Sequence, residues 1–292
     1  MTLDQLCYFG NYFIEPNFIN VMENPTVFAL AILSIIGCIL NIVVTALVRK
    51  MYNNPLGKMV IHLSIADISL AISAMVRELT NYSEDMKFST VFPRTLGSFG
   101  NSASMIWTCC FAHCLYSVGR EGNEDFLHSL YKIYLKISYG VALITGIAHL
   151  FTNYVLYYDV HDKVNWLMAV LISCQIVVSL IVTLYYYISG LRLMHQRGNR
   201  LPWSLLIYPL ILLVCNLPRN VFLQYTGYIY DNPKYQLTQA TWVIQGFLNA
   251  LVYGLTSGIR EAVKEQCCQD DSKDSSAEQV ETVYYQQDED NH

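Results

Sequence analysis

Charge is scarce in this chain. Asp, Glu, Lys and Arg make up 14% of its 292 residues, against about 25% in a typical soluble domain. That shortfall argues against a soluble enzyme, whose surface needs more charged side chains. A basic face is lacking too. Residues 269–292 hold eight acids and the single base Lys273, which leaves the remainder at +2 within a total of −5. Nucleic acid is therefore not an expected partner. The sequence contains no His-Glu-x-x-His pair and no clear nucleophile–base constellation, so neither an enzyme nor a bound cofactor or metal is expected. The first 25 residues include Asp4, Glu15 and Glu23 and lack a basic stretch followed by an apolar run. The first apolar segment is thus expected to act as its own insertion signal. No internal repeat of the kind that builds transporters from two related halves is visible. What is plentiful excludes a disordered chain: 53% hydrophobic side chains, with 22 Tyr and 12 Phe.

A membrane span needs about 20 mostly apolar residues. Seven candidates occur in series, at 26–48, 59–76, 95–118, 133–154, 166–188, 203–223 and 237–256. The first, fourth and fifth are plain. The second is short and carries His62 and Asp67, the third opens with small and polar residues, and the seventh is mixed. The expected organisation is an extracellular segment at 1–25, a seven-helix domain at 26–256, a juxtamembrane segment at 257–268 and an acidic, disordered cytoplasmic tail at 269–292.

Orientation follows the basic residues of the loops. With the N-terminus outside, the inner side holds twelve, among them Arg120, Arg192, Arg197, Arg200 and Lys264, and the outer side holds six: Arg77, Lys87, Arg94, Lys163, Arg219 and Lys234. The sequon Asn81-Tyr82-Ser83 then lies outside, as glycosylation requires. Of nine cysteines only Cys7 is clearly outside, so no pair of outer cysteines is available for a loop disulfide. Cys267 and Cys268 follow the last span at juxtamembrane distance and suit palmitoylation. Ser272, Ser275, Ser276 and Thr282 lie among acids in the tail, a context that acid-directed kinases accept.

Polar groups at membrane depth need a partner or a hydrated cavity. Asp67 lies in the middle of span two and Asn41 in span one, while Asn249 and Tyr253 lie one turn apart on one face of span seven. These four are the candidate switch network; helix–helix glue and a hydrated switch holding an ion or proton are both compatible with the spacing. Asn101, Ser104 and Thr108 form a polar stripe on span three that faces a cavity or another helix. Pro209 and Pro218 lie in span six, and Pro218 is expected to kink it near Val214. Arg77, Arg94 and Arg219 fall near the outer mouth. Arginine bonds phosphate and carboxylate in bidentate fashion, so a small anionic ligand is one reading; snorkelling to headgroups is the other and suits Arg77 and Arg94 better than Arg219, which sits inside the apolar run. With Asn216, these arginines and the stripe form the candidate ligand-binding set.

Four segments resemble those of G-protein-coupled receptors. Leu63-Ser64-Ile65-Ala66-Asp67 is similar to the Leu-x-x-x-Asp signature of the second helix. Gly37-Cys38-Ile39-Leu40-Asn41 resembles the first-helix Asn motif with altered spacing. Cys215-Asn216-Leu217-Pro218 resembles Cys-Trp-x-Pro with Asn in place of Trp, and Asn249-Ala250-Leu251-Val252-Tyr253 resembles Asn-Pro-x-x-Tyr with Ala in place of Pro. The departures are equally clear. Span three ends Gly119-Arg120-Glu121 and not Asp-Arg-Tyr, the cysteine pair joining the third helix to the second outer loop is missing, and span seven has no lysine for a retinal Schiff base. Trp107-Thr108-Cys109-Cys110, Leu115-Tyr116 and the string from Gln245 to Gly254 resemble the cyclic-AMP-receptor-like group of slime moulds and other protists.

The resemblance implies an all-α seven-transmembrane-helix bundle with a short cytoplasmic amphipathic helix after span seven. It also implies a plasma-membrane receptor that passes an extracellular signal to a heterotrimeric G protein by rearranging helices 3, 6 and 7. Arg120, with the basic loop carrying Arg192, Arg197 and Arg200, would face the G protein. The alternative is a small-solute or proton-coupled transporter using Asp67 and His113 as a proton path, although His113 also suits a packed, hydrogen-bonded role.

Overall fold

The computed structural model describes residues 25–48, 52–79, 88–121, 124–154, 157–196, 207, 210–211, 214–216, 218 and 233–254. Among these the elements are helices, without a strand: α1 Pro25–Leu47, α2 Pro55–Leu79, α3 Phe88–Glu121, α4 Glu124–Tyr154, α5 Tyr157–Gln196, α6 Pro233–Val243 and α7 Gln245–Gly254. Three of them begin at proline, which has no N–H to leave unpaired in a first turn. At α2 the start is reinforced, because Asn54 Oδ1 accepts the Leu56 N–H at 2.9 Å as an N-cap.

Only the turn residue Ile244 separates α6 from α7, and backbone bonds run through it, from Ile244 N to Ala240 O and from Leu248 N to Ile244 O, both at 3.1 Å. The two helices together correspond to expected span seven. Of expected span six, residues 207, 210, 211, 214–216 and 218 are helical. Pro209, Arg219, Asn81, Arg197, Arg200, Cys267, Cys268, the first 24 residues, the juxtamembrane segment and the tail with Ser272, Ser275, Ser276 and Thr282 lie outside the described residues.

Four helical stretches are long and apolar enough to cross a membrane: Pro25–Leu47, Pro55–Leu79, Phe126–Thr152 and Ser173–Leu193. At 34 residues α3 has the length but is not among them. It packs against α2, α4 and α5, and most of its described side chains from Gly97 to Ser117 are buried. A helix enclosed by other helices needs little lipid-facing apolar surface, which accounts for its lower hydropathy.

The distribution of side chains is the reverse of a soluble protein. Ile36, Ile39 and Leu40 of α1, Ile133, Ile137 and Ile144 of α4, and Val178 and Ile181 of α5 face outward, with Ile144 69% exposed. Asp67, Ser34, Asn41, Thr45, Ser104, Gln245 and Asn249 are buried, with Asp67 only 1% exposed. Apolar outside and polar inside is the arrangement lipid favours, because polar groups find partners only within the bundle. The chain is therefore a membrane protein. The inner packing is close: a Cβ added at Gly100 would stand 2.7 Å from Ala66 O and 2.9 Å from Leu70 N. Glycine is what lets the backbones of α2 and α3 meet there. One core cluster joins Met59, Leu63 and Ala66 to Trp107, Tyr134, Cys215 and Val252, and a second joins Val27, Ala31, Leu70, Trp242 and Val243.

Candidate functional site

Asp67 projects from the middle of α2 into the space between α3, expected span six and α7. Among the described residues, the hydrogen bonds that reach it come from neutral donors. Ser104 Oγ donates to Oδ1 at 2.8 Å, Asn249 Nδ2 donates to Oδ2 at 2.8 Å, and Gln245 Nε2 stands 3.4 Å from Oδ1. The chain extends beyond the carboxylate. Gln245 Nε2 also donates to Ser104 Oγ at 2.7 Å, and Asn216 Nδ2 donates to Gln245 Oε1 at 2.7 Å. Four helical segments that are distant in sequence are thus tied to one buried carboxylate. Such a network couples its members: moving one helix leaves a polar group of another unpaired in a low-dielectric interior.

The packing around Asp67 has no slack. Gly246 lies between Asn249 and Gln245 in sequence, and a Cβ there would overlap Ser34 Oγ, stand 2.8 Å from Cys38 Sγ and 3.0 Å from Asp67 Cβ. The Ser34 hydroxyl is buried with no hydrogen-bond partner. The group of residues expected to meet here is only partly the one that does. Asn249 bonds Asp67, whereas Tyr253 OH accepts from Thr45 Oγ1 of α1 at 3.1 Å, and Asn41 is buried without bonding the carboxylate. Ser104 and Asn216, placed by the sequence in a ligand-binding set, are members of the Asp67 chain. Gln245 was missed, although it lies one turn before Asn249 on the same face of α7. Thr108 spends its hydroxyl on its own helix, donating to Ser104 O at 2.9 Å.

A second polar group gathers at the C-terminal end of α2. Arg77 Nη2 donates to Gln239 Oε1 at 3.4 Å, and the guanidinium lies over the Trp242 ring, 5.3 Å from its centroid. Trp242 Nε1 donates to Asn101 Oδ1 at 3.1 Å. Arg77 and Asn101, both in the expected ligand-binding set, are thereby joined through a tryptophan that the sequence did not single out. Arg94 is half-buried in the first turns of α3. Pro218 is exposed, as are Arg120 at the end of α3 and Arg192 near the end of α5.

Two histidines, His62 of α2 and His113 of α3, bond tyrosines of neighbouring helices. His62 Nδ1 and Nε2 bond Tyr139 OH and Tyr131 OH, each at 2.8 Å, and the ring stacks on Trp107 at 5.2 Å. His113 Nδ1 bonds Tyr134 OH, and its ring meets Tyr186 edge-on at 4.6 Å. Among the described residues no hydrogen bond connects His113 to the Asp67 chain.

A family model described as slime mold cyclic AMP receptor matches residues 18–188, more than half of the chain and the whole of α1 to α4 with most of α5. No curated protein matches the chain.

Proposed function

The chain belongs to the slime mold cyclic AMP receptor family, and on that premise we propose that it is a seven-helix plasma-membrane receptor, N-terminus outside, which passes an extracellular signal to a heterotrimeric G protein. The family match carries this reading. The proposed ligand is a cyclic nucleotide or a closely related small anion, bound near Arg77, Arg94 and Arg219. The protein performs no covalent chemistry and needs no cofactor.

The proposed mechanism is a shift between two helix packings. Ligand binding favours one by no more than its difference in affinity for the two. The Asp67 chain makes the change cooperative, since Ser104 of α3 and Gln245 and Asn249 of α7 share one carboxylate as acceptor, and Asn216 of span six joins them through Gln245. Asp67 is satisfied through α7 in one packing and by water, sodium or a proton in the other. Movement of span six about Pro218 opens an inner groove bordered by Arg120, Arg192, Arg197 and Arg200, where the G protein docks. A short amphipathic helix at 257–268 lies along the inner leaflet, anchored by acylation of Cys267 and Cys268. Phosphorylation of Ser272, Ser275, Ser276 and Thr282 ends the signal, and Asn81 carries an outer glycan.

The test is coupling. Purified protein in nanodiscs should accelerate guanine-nucleotide exchange on a heterotrimeric G protein when cyclic AMP is added. Solute uptake into liposomes without any exchange activity would favour the transporter instead.

A further inference from the structure

Close neighbours account for Gly100 and Gly246, but not for Gly140 in the middle of α4, where an added Cβ would meet nothing within 4 Å. Glycine inside a helix is costly relative to alanine, and no contact among the described residues explains it here. The gap lies on the face of α4 that helix packing leaves open. Lys132, Lys136, Gly140, Leu143, Ile147 and Leu150 recur along that face at helical spacing. Tyr134, Ser138 and Ala142 are buried on the opposite face. Both lysines are exposed, as are Leu143 and Ile147 at 56% each and Leu150 at 41%.

The row has an order. Two cations stand at its N-terminal end, a gap follows one turn after Lys136, and an apolar strip runs from Leu143 to Leu150. Neither lysine makes an ion pair among the described residues. A third lysine approaches the same end of the helix, with Lys58 Nζ of α2 5.9 Å from the ring centroid of Tyr131, the residue before Lys132. From Gly140 to Leu150 the helix rises about 15 Å at 1.5 Å per residue. That is the depth of one leaflet in a hydrocarbon core about 30 Å thick.

We infer that this face of α4 seats one acidic phospholipid, its headgroup on Lys132 and Lys136, its glycerol backbone in the gap at Gly140 and an acyl chain along Leu143, Ile147 and Leu150. The lysine stems lie along apolar surface while their ammonium groups reach headgroup depth, where each acts as a compact point charge. A zwitterionic lipid answers its phosphate with its own ammonium, whereas an acidic lipid leaves net charge for the lysines. A side chain at position 140 would fill the space where the acyl chains leave the headgroup. The choice of leaflet rests on the proposed N-terminus-out orientation, which starts α4 on the inner side, where acidic lipids reside. The seat itself depends on neither the receptor reading nor its ligand.

Gly140→Leu separates a built seat from diffuse charge attraction. Its added side chain has open space at Cβ, so the variant should unfold no earlier than wild type, and its charge is unchanged. The purified full chain in detergent is titrated separately with phosphatidylserine and phosphatidylcholine, and native mass spectrometry reads the lipid retained. A lysine at an acidic lipid surface is worth about fivefold in affinity, so two should give phosphatidylserine a preference of about 25-fold. Replacing both lysines, Lys132→Gln with Lys136→Gln, should bring that preference to about one. Gly140→Leu should lower phosphatidylserine retention about fivefold or more. Equal retention of the two lipids by wild type would overturn the inference, as would an undiminished preference in the double lysine variant. Full retention by Gly140→Leu would reduce the effect to diffuse attraction and overturn the seat. A wild type with the preference but without exchange stimulated by cyclic AMP would support the seat and overturn the receptor reading; stimulated exchange without the preference would do the reverse.

Discussion

Asp67→Asn removes the charge at the centre of the buried chain and keeps its shape. An asparagine has one carbonyl oxygen where aspartate has two acceptors. In wild type, Ser104 and Gln245 approach Oδ1 while Asn249 donates to Oδ2. The asparagine oxygen can serve one side only, and the other then presents an N–H to another donor. If it stays with Ser104, the contact to Asn249 is lost, and with it the tie between α2 and α7. Hydrogen bonds between membrane helices average about 0.6 kcal/mol and reach about 1.7, while bonds to charged groups reach about 1.5–3 kcal/mol. A loss of about 1.4 kcal/mol moves the equilibrium about tenfold away from this packing. If the other packing holds about 1% of molecules, it would rise to about 9%. Surface expression should persist, because the helices retain their apolar contacts. The assay is nucleotide exchange on G protein with and without agonist, together with the sodium and pH dependence of agonist affinity. A reciprocal exchange provides the control. In Asp67→Asn with Asn249→Asp the asparagine amide again donates to a carboxylate, so coupling should return toward wild type. Normal surface expression with unaltered coupling and ion dependence in Asp67→Asn would refute the reasoning and leave Asp67 as an adhesive between helices.

Gly246→Ala should destabilise the protein by about 1–3 kcal/mol, read as a lower unfolding temperature, because the added methyl meets Ser34, Cys38 and Asp67; an unchanged temperature would contradict the packing. Replacing Ser272, Ser275, Ser276 and Thr282 with Ala should prolong signalling after agonist, and unchanged decay would remove the tail from regulation. Arg219→Ala should raise the agonist concentration needed for half-maximal exchange, and equal potency would discard Arg219 as an anion contact. Glycosidase should shift the mobility of membrane-expressed protein only when Asn81 is intact, and a tail cleaved by protease added outside sealed cells would reverse the topology.

Helix positions were legible in the sequence where lipid contact dictates composition. The apolar runs of α1 and α2 fall where hydropathy places them, since both present apolar side chains outward. Hydropathy gave 95–118 and 166–188 for helices that span Phe88–Glu121 and Tyr157–Gln196. Backbone hydrogen bonding continues past the hydrocarbon boundary, where polar side chains no longer oppose a helix. At the site, the depth of Asp67 and the face bearing Asn249 were readable from spacing. The remainder depended on rotation of the helices about their axes, which spacing does not determine. The polar stripe on α3 turns Ser104 to Asp67 and Asn101 to Trp242, and Tyr253 faces Thr45 of α1. Gln245 carried a signal in its offset of four from Asn249, but its role as bridge to Asn216 needed the geometry of span six.

The central claim is that a buried carboxylate chain lets an extracellular anion control a G protein through this chain. Its most direct test is the rate of nucleotide exchange on a purified heterotrimer, measured with the purified protein in nanodiscs before and after addition of cyclic AMP. The account predicts faster exchange on addition, with that response altered about tenfold in Asp67→Asn and recovered in the reciprocal Asp67→Asn, Asn249→Asp pair. Exchange that never responds to cyclic AMP, or responds equally in wild type and Asp67→Asn, would contradict it.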